Sequence, residues 1–257
     1  MLPLLRYDIS NHTTAFTTTR EGGVSIGNYS AFNANHYCGD NPEHVAANRQ
    51  LLCNELNIDD THLIVPHQTH DIHHLNIDAN FIKKPGRQQA ELLEGIDALI
   101  TTQTGTAICI STADCVPILI YDHTHHAAAA IHAGWRGTMK RIAQHTIEAM
   151  HTTFGTKATD CKAVIGPSIS IDNFEVGDEV YDAFHDAGFD MNTIARRQDK
   201  WHIDLWQCNS IQLEEQGIPS ANIQISGICT YQNHQQYFSA RRLGIKSGRI
   251  LTGIILH

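Results

Sequence analysis

Residues 107–137 read AICISTADCVPILIYDHTHHAAAAIHAGWRG, and this stretch decides the fold. It contains three runs typical of buried strands, at 107–111, 116–121 and 127–132, each rich in Ile, Val or Ala and bounded by turn-forming residues. The chain then turns at two glycines, and apolar residues at helical spacing begin near Thr138. The stretch therefore predicts consecutively paired strands, a meander or hairpin series, that lead into a helix.

Further strands and helices are predicted on both sides of this stretch. The remaining strand-like runs are 14–19, 62–65, 98–101, 162–165, 223–226 and 250–256. Helical patterns run from 42 to about 56, from 138 to 151, from 177 to 187 and from 205 to 216. Strands that follow one another directly, with helices between others, indicate an α/β (α+β) fold. We expect a single domain, residues 1–257, in which mixed β-sheets are flanked by helices.

The composition is that of a protein with a substantial core. Of the 257 residues, 42% are apolar and 18% are charged, which argues against a disordered chain. The net charge of −9 argues against nucleic acid as a partner, because a phosphate backbone requires a basic surface. No apolar run approaches the ~20 residues needed to cross a bilayer, so we expect no membrane association. Seven scattered cysteines without a Cys-x-x-Cys pair predict reduced thiols and a cytoplasmic location.

Two imidazoles and one thiol stand at the ends of the apolar runs. His70 follows the run at 62–65, Cys115 lies between two predicted strands, and His132 ends the alanine-rich run. Two nitrogens and one sulfur are a sound ligand set for Zn²⁺ with one position left open, as in catalytic zinc sites. The sequence therefore predicts a catalytic zinc site at these three residues, which would also bind copper in vitro. The simpler alternative for an isolated cysteine is a buried structural thiol.

The turn after His132 predicts a place for an anion. Arg136 offers a planar fork of donors that suits a carboxylate or a phosphate. The helix that begins near Thr138 would point its first amides at the same place, where anions are favoured. We expect Arg136 to bind phosphate; the alternative is a tight strand-to-helix turn with a surface arginine.

Taken together, these motifs resemble the laccase-domain (YfiH-like) family, once called polyphenol oxidases and now assigned as purine nucleoside phosphorylases. The resemblance runs along nearly the whole chain and is most specific in ADC at 113–115 and HAGWRG at 132–137. The other matching segments are FTTTREGGVS at 16–25, Asn33, Gly39-Asp40, Gln68-Thr69-His70, DALIT at 97–101, GPSI at 166–169, FEVG at 174–177, SARR at 239–242 and SGR at 247–249.

The resemblance implies an activity and a set of site residues. The activity is the phosphorolysis of adenosine, inosine and methylthioadenosine to the free base and (methylthio)ribose 1-phosphate, with adenosine deaminase activity beside it. The partners implied are purine nucleosides and phosphate, and the oligomeric state stays open. The metal ligands and catalytic residues implied are His70, Cys115 and His132. Candidate phosphate or substrate contacts are Arg20, Asn33, Arg136 and Arg242, with Arg241 and Arg249 as further candidates.

A proton donor must also help the purine to leave, and Asp114 and His67 are the candidates. Three other functions would use the same residues. A copper polyphenol oxidase shares the ligand types, although no methionine follows closely after Cys115 as in blue-copper loops. A cysteine hydrolase, with Cys115 as nucleophile and His132 as base, would stay active after chelation. A non-enzymatic regulator would bind nucleoside or metal without turnover.

Overall fold

The apolar runs predicted from the sequence all form strands in the computed structural model, which describes residues 2–257. The additional strands are two to four residues long, too short to show a hydrophobic period. The strands are β1 (Leu4–Tyr7), β2 (Thr13–Thr18), β3 (Leu63–Ile64), β4 (His74–Asn76), β5 (Ala98–Thr101), β6 (Ala107–Thr112), β7 (Val116–Asp122), β8 (Ala127–Ala133), β9 (Cys161–Ile165), β10 (Glu175–Val176), β11 (Ala195–Arg197), β12 (Trp201–Ile203), β13 (Ile223–Ile225) and β14 (Ile250–Leu256).

Helices connect several of these strands. The first helix has the predicted bounds, because the Asn41 side chain accepts a hydrogen bond from the Glu43 amide and proline occupies the first turn. The helices are α1 (Pro42–Leu56), α2 (Ala79–Ile82), α3 (Gly86–Leu92), α4 (Trp135–Met139), α5 (Ile142–Phe154), α6 (Asp178–Asp186), α7 (Met191–Ile194), α8 (Leu205–Glu215) and α9 (Ala240–Leu243).

One predicted helix, 138–151, is two helices in the structure. Arg141 separates α4 from α5 and has a left-handed backbone, with φ at 66°. Its guanidinium lies over the Phe189 ring and pairs with Glu215 at 2.9 Å. No glycine marks this break, and the helical spacing of apolar residues continues across it, so the sequence predicts one helix.

The strands form two large sheets and one small sheet. The five-stranded sheet has the order β1-β2-β14-β6-β3, and the six-stranded sheet has the order β13-β9-β7-β8-β5-β4. A separate three-stranded sheet has the order β10-β12-β11. The pairs β3/β6, β4/β5 and β9/β13 are parallel and the remaining pairs are antiparallel. The prediction of mixed sheets flanked by helices is therefore confirmed.

The predicted meander of consecutive strands is wrong. Of the four strands between residues 98 and 133, only β7 and β8 pair as neighbours in sequence, and β5 pairs with β8 on its other side. Strand β6 belongs to the other large sheet, between β14 and β3. Every residue of β6 is buried, so its sequence has no alternation that would distinguish one sheet from the other.

Packing of the two large sheets face to face creates the central core. Ile108 and Ile110 of β6 meet Leu119 of β7 and Ala130 of β8 in one buried cluster. Each fully buried isoleucine or leucine side chain stabilises the fold by about 1.5–3 kcal/mol. Outside the sandwich, α1 covers the five-stranded sheet, while α5 and α8 cover the six-stranded sheet. The result is a helix–sheet–sheet–helix arrangement.

The loops that bear the candidate site residues lie at one edge of this sandwich. Strand β3 runs parallel to β6, so both end at the same edge. Strand β8 ends opposite the start of β7, beside the turn at 113–115 that connects β6 to β7. Strand β14 begins opposite Thr112, which brings the segment before it to this edge as well.

Candidate metal centre

Three donor groups converge at this edge from three separate loops and strands. His70 lies in the loop after β3, Cys115 lies in the turn between β6 and β7, and His132 is near the end of β8. One ligand atom from each residue lies within 4.8 Å of the others. The two imidazole rings meet edge to face, with centroids 4.8 Å apart. The structure thus brings together the three residues that the sequence singled out.

Asp97, directly before β5, positions both histidines. Its carboxylate accepts a hydrogen bond from Nδ1 of His132 at 2.7 Å. It also accepts the backbone amides of Thr69, His70 and Asp71 at 2.9–3.2 Å. Burial alone would raise the pKa of Asp97, but these bonds and the His132 imidazolium lower it. A carboxylate on one ring nitrogen leaves Nε2 of His132 for a metal and fixes its direction.

The thiol and the buried imidazole form a charged pair. Burial alone would raise the pKa of Cys115, yet the imidazolium of His132 and hydrogen bonds from both histidines lower it to about 6. Burial likewise opposes the charge on His132, but the thiolate and Asp97 raise its pKa to about 9. The thiolate is the form of cysteine that binds metal, so this environment prepares Cys115 as a ligand.

Gly134 provides the space in which the three donors meet. A Cβ atom on this residue would lie 3.1 Å from Cδ2 of His70, 3.2 Å from Sγ of Cys115 and 3.6 Å from Cε1 of His132. The donors are thus packed against a bare backbone, with no side chain between them. Two imidazoles, one thiolate and this close cradle fit a zinc ion with an open position. The residues present therefore suit the metal that the sequence predicted.

The loop that carries His70 is locked to the neighbouring sheet. The Gln68 side chain donates to the Ser111 carbonyl at 2.8 Å and accepts a hydrogen bond from the Ser111 amide at 2.7 Å, so the contact with β6 continues beyond the end of β3. Asn35 donates to the Ser111 hydroxyl. These bonds hold the first metal-binding loop close to the turn that bears Cys115.

A cavity of about 650 Å³ opens above the three donors. Its volume is that of a small-molecule site. Its lining residues combine the donors with aromatic, amide and cationic side chains. They are Asn35, Tyr37, Cys38, His67, Gln68, His70, Ser111, Thr112, Ala113, Asp114, Cys115, His132, Ile169, Phe174, Ala240, Arg241, Ile245 and Arg249.

Two of the predicted phosphate or substrate residues, Arg136 and Arg242, lie on the surface. They are not among the described residues that line the cavity. Both are exposed, and their guanidinium groups lie over the rings of Trp135 and Tyr231, at 4.3 and 5.0 Å from the ring centroids. The Arg136 side chain therefore lies outside the described cavity lining, and its role in phosphate binding stays a prediction.

The other two, Arg20 and Asn33, also lie outside the cavity lining and have structural partners. Arg20 donates to the carbonyls of Ser30 and His234. Asn33 is fully buried, donates to Asp40 and accepts the Arg249 amide at 3.1 Å. Both side chains are used to hold the loops around the cavity.

The two candidates for the proton donor have different surroundings. Asp114 accepts at both oxygens, from the Thr230 hydroxyl and from the Arg241 amide, each at 2.7 Å. This carboxylate is therefore used to tie the turn beside Cys115 to α9. His67 lines the cavity and pairs through Nδ1 with Glu94.

Comparison with known proteins agrees with this architecture. Residues 14–257 match the family described as multi-copper polyphenol oxidoreductase laccase. The chain belongs to this laccase-domain family. It is 50% identical over 245 residues to a purine nucleoside phosphorylase of Bacteroides thetaiotaomicron, covering 94% of this chain and 91% of that protein. It is 43% identical over 243 residues to adenosine deaminase RL5 of an unknown prokaryotic organism, with coverages of 93% and 92%.

A solved structure shows the same fold. The hypothetical protein YfiH of Bacillus licheniformis superposes with a TM-score of 0.92 at 27% identity, covering 100% of this chain and 97% of that one. The resemblance to the laccase-domain (YfiH-like) family and the α/β (α+β) class predicted from sequence are thus confirmed. Among the helices of residues 2–257, none is both long and apolar enough to cross a membrane.

Sequence reasoning did not identify the role of Asp97 in this laccase-domain chain. Its partners are 26 to 35 residues away, so no local spacing connects it to the histidines. The available signal was a charged residue directly before the apolar run at 98–101. A carboxylate in such a place is fully buried only when it has partners, which Asp97 has.

Proposed function

We propose that this chain is a zinc-dependent purine nucleoside phosphorylase. It would cleave adenosine, inosine and methylthioadenosine with phosphate, giving the free base and (methylthio)ribose 1-phosphate, and it would deaminate adenosine as a side activity. The observation that carries the proposal is the convergence of His70, Cys115 and His132 beneath a cavity of ligand size. Relatives named purine nucleoside phosphorylase and adenosine deaminase support the substrate class.

The metal would be held by His70, Cys115 and Nε2 of His132. When bound, zinc supplies Lewis-acid chemistry and lowers the pKa of water, which the deamination requires. Asp97 keeps its proton-accepting bond to Nδ1 of His132, so the imidazole has one orientation with or without metal. Copper would also bind these donors in vitro, since two imidazoles and a thiolate do not exclude it.

Phosphate would be held by Arg241. This residue lines the cavity, and only Nη1 of its guanidinium has a partner in the described chain, the Glu175 carbonyl at 3.1 Å. The Arg241 amide is fixed by Asp114, one residue from the metal ligand Cys115. The anion site and the metal site are therefore connected through one carboxylate. Arg249 adds a second positive charge to the cavity wall, with its guanidinium held by backbone carbonyls of 245–248.

Two of the alternative functions make different predictions. A cysteine hydrolase needs only the thiolate–imidazolium pair, so it would stay active after metal removal and be lost on alkylation of Cys115. A multi-copper oxidase needs several metal sites, whereas one cluster of three or more converging donors is found within residues 2–257. The third donor, His70, favours a metal enzyme over the hydrolase, and the single cluster favours one metal over several.

The test is product analysis by chromatography. Purified protein of measured metal content is incubated with adenosine, with and without phosphate. We expect adenine and ribose 1-phosphate only when phosphate is present, a slower release of inosine in both samples, and loss of all products after zinc removal. Phosphorolysis that survives complete metal removal would contradict the zinc dependence, and unchanged adenosine, inosine and methylthioadenosine would contradict the activity itself.

Two further expectations accompany this proposal. We propose that residues 1–257 act as one catalytic domain, since ligands and cavity-lining residues come from 35 to 249. We also propose a cytoplasmic location, which fits the free thiols of all seven cysteines. Fluorescence microscopy of a tagged chain would test the location.

A further inference from the structure

A histidine–carboxylate pair stands in the cavity wall, apart from the three metal donors. Nδ1 of His67 lies 2.8 and 2.9 Å from the two carboxylate oxygens of Glu94. The His67 side chain is 38% exposed and lines the cavity. The pair is therefore within reach of a bound ligand.

The surroundings of this pair fix its position. The backbone of His67 bridges to the loop that bears Glu94, through bonds to the Leu93 carbonyl and from the Gly95 amide at 3.0 and 2.9 Å. The Tyr37 ring stacks on the imidazole, with centroids 4.3 Å apart and planes 20° from parallel. A side chain held by a carboxylate, two backbone bonds and a stacked ring has little freedom to leave the wall.

The pairing also distinguishes the two ring nitrogens. Because Nδ1 keeps its proton and donates it to the Glu94 carboxylate, Nε2 is the nitrogen left for proton exchange. Within residues 2–257, Nε2 of His67 has no hydrogen-bond partner. Asp114, the other candidate donor, accepts hydrogen bonds at both oxygens. We propose that His67 is the general acid that protonates the leaving purine, with Glu94 as its positioning residue.

This proton transfer rests on the proposed phosphorylase activity. The imidazolium of His67 gives its Nε2 proton to a purine ring nitrogen as the C1′–N9 bond breaks. The bond's electron pair goes to the base, which leaves neutral, and a phosphate oxygen bonds to C1′. Hydrogen phosphate loses its proton on becoming the ribose ester, and that proton restores the imidazolium.

N7-methylated nucleosides test this role directly. The base of N7-methylinosine is already cationic, so it leaves neutral without receiving a proton. We expect His67→Gln to lower kcat/KM for inosine by about 10²–10⁴-fold, the usual contribution of a general acid. The same variant should cleave N7-methylinosine at nearly the wild-type rate. A role limited to structure or to stacking would lower both activities together.

Two further variants complete the test. Glu94→Gln keeps the size of the partner but removes its charge, so inosine cleavage should fall less than in His67→Gln and N7-methylinosine cleavage should persist. His185→Gln is the matched control, because His185 also pairs with a neighbouring carboxylate, Asp186, but lies on α6 outside the cavity lining. It should change neither rate. Thermal unfolding and zinc content establish that each variant is folded and loaded.

The outcomes separate the two proposals. If the wild-type protein cleaves neither nucleoside with phosphate, the phosphorylase proposal is overturned, and the role of His67 with it. If the wild type cleaves both and His67→Gln either keeps inosine cleavage or loses both to the same extent, only the general-acid role is overturned.

Discussion

A single methyl group added at Gly134 should weaken metal binding without disturbing the fold. The backbone of this residue is extended, with φ at −64° and ψ at 168°, so alanine is tolerated without strain. The new Cβ would approach His70 to 3.1 Å and Cys115 to 3.2 Å. Ordinary carbon contacts are about 3.5–4.0 Å, so both ligands would have to withdraw by a few tenths of an ångström.

The size of the effect follows from the tolerance of metal geometry. Metal–ligand distances hold within about 0.2 Å, which is less than the displacement that the methyl group imposes. Changes that misplace ligands cost about 10–100-fold in metal affinity. We therefore expect Gly134→Ala to bind zinc about 10–100-fold more weakly, or about 1.4–2.8 kcal/mol. The metal-free variant should unfold at close to the wild-type temperature.

The assay is competition for zinc against a chromophoric chelator, combined with thermal unfolding of the metal-free proteins. Gly86→Ala is the matched control, since a Cβ there would meet no atom within 4 Å. It should leave the zinc affinity unchanged. Wild-type zinc affinity in Gly134→Ala would refute the convergence of His70 and Cys115 on one ion beside this residue.

Three further predictions concern the ligand, the anion and acid stability. Cys115→Ala should lose zinc and purine chemistry together while keeping its circular dichroism; loss of activity with full zinc content, measured by atomic absorption, would contradict the ligand assignment. Arg241→Gln should raise KM for phosphate in steady-state assays, whereas Arg242→Gln, at the next position but outside the cavity lining, should not. Burial alone would raise the pKa of Asp122, but hydrogen bonds, among them those from His125, hold it below the usual range of an aspartate. Its stabilisation is therefore present above the pKa of the unfolded chain and is lost as pH falls through the lower folded pKa. Asp122→Asn should therefore flatten the acid limb of stability measured by urea unfolding; an unchanged limb would contradict this.

The sequence predicts correctly those helices and strands that are determined by residues close together in the chain. The strand at 250–256 and α1 were predicted with their observed bounds, since an apolar run and the Asn41 cap are complete within a few residues. The break at Arg141 was missed because its left-handed backbone is held by Phe189 and Glu215, which are distant in sequence. Because β6 is buried on both faces, its sequence likewise does not show which sheet it joins.

In the candidate site, the sequence likewise identifies the metal donors but does not place the cations or Asp97. The donors at 70, 115 and 132 were chosen for their chemistry and lie together in the structure. Arg136 is predicted from its place in the turn and the other cations from the family resemblance, and neither determines where a long side chain points. Arg136 consequently lies in solvent, while Arg241 reaches the cavity. Asp97 could not be assigned because its function exists only once two loops meet.

The crossing of the chain from one sheet to the other at Cys115 has a consequence for dynamics. Since His132 belongs to the six-stranded sheet and Cys115 closes the turn from β6, an ion bound to both acts as a staple across the sandwich. Because zinc would bind only the folded state, it would stabilise that state by mass action and would also suppress local separation of the sheets. Zinc should therefore slow amide hydrogen exchange in β6 and β8 alike, at positions as distant from the ion as Ile108.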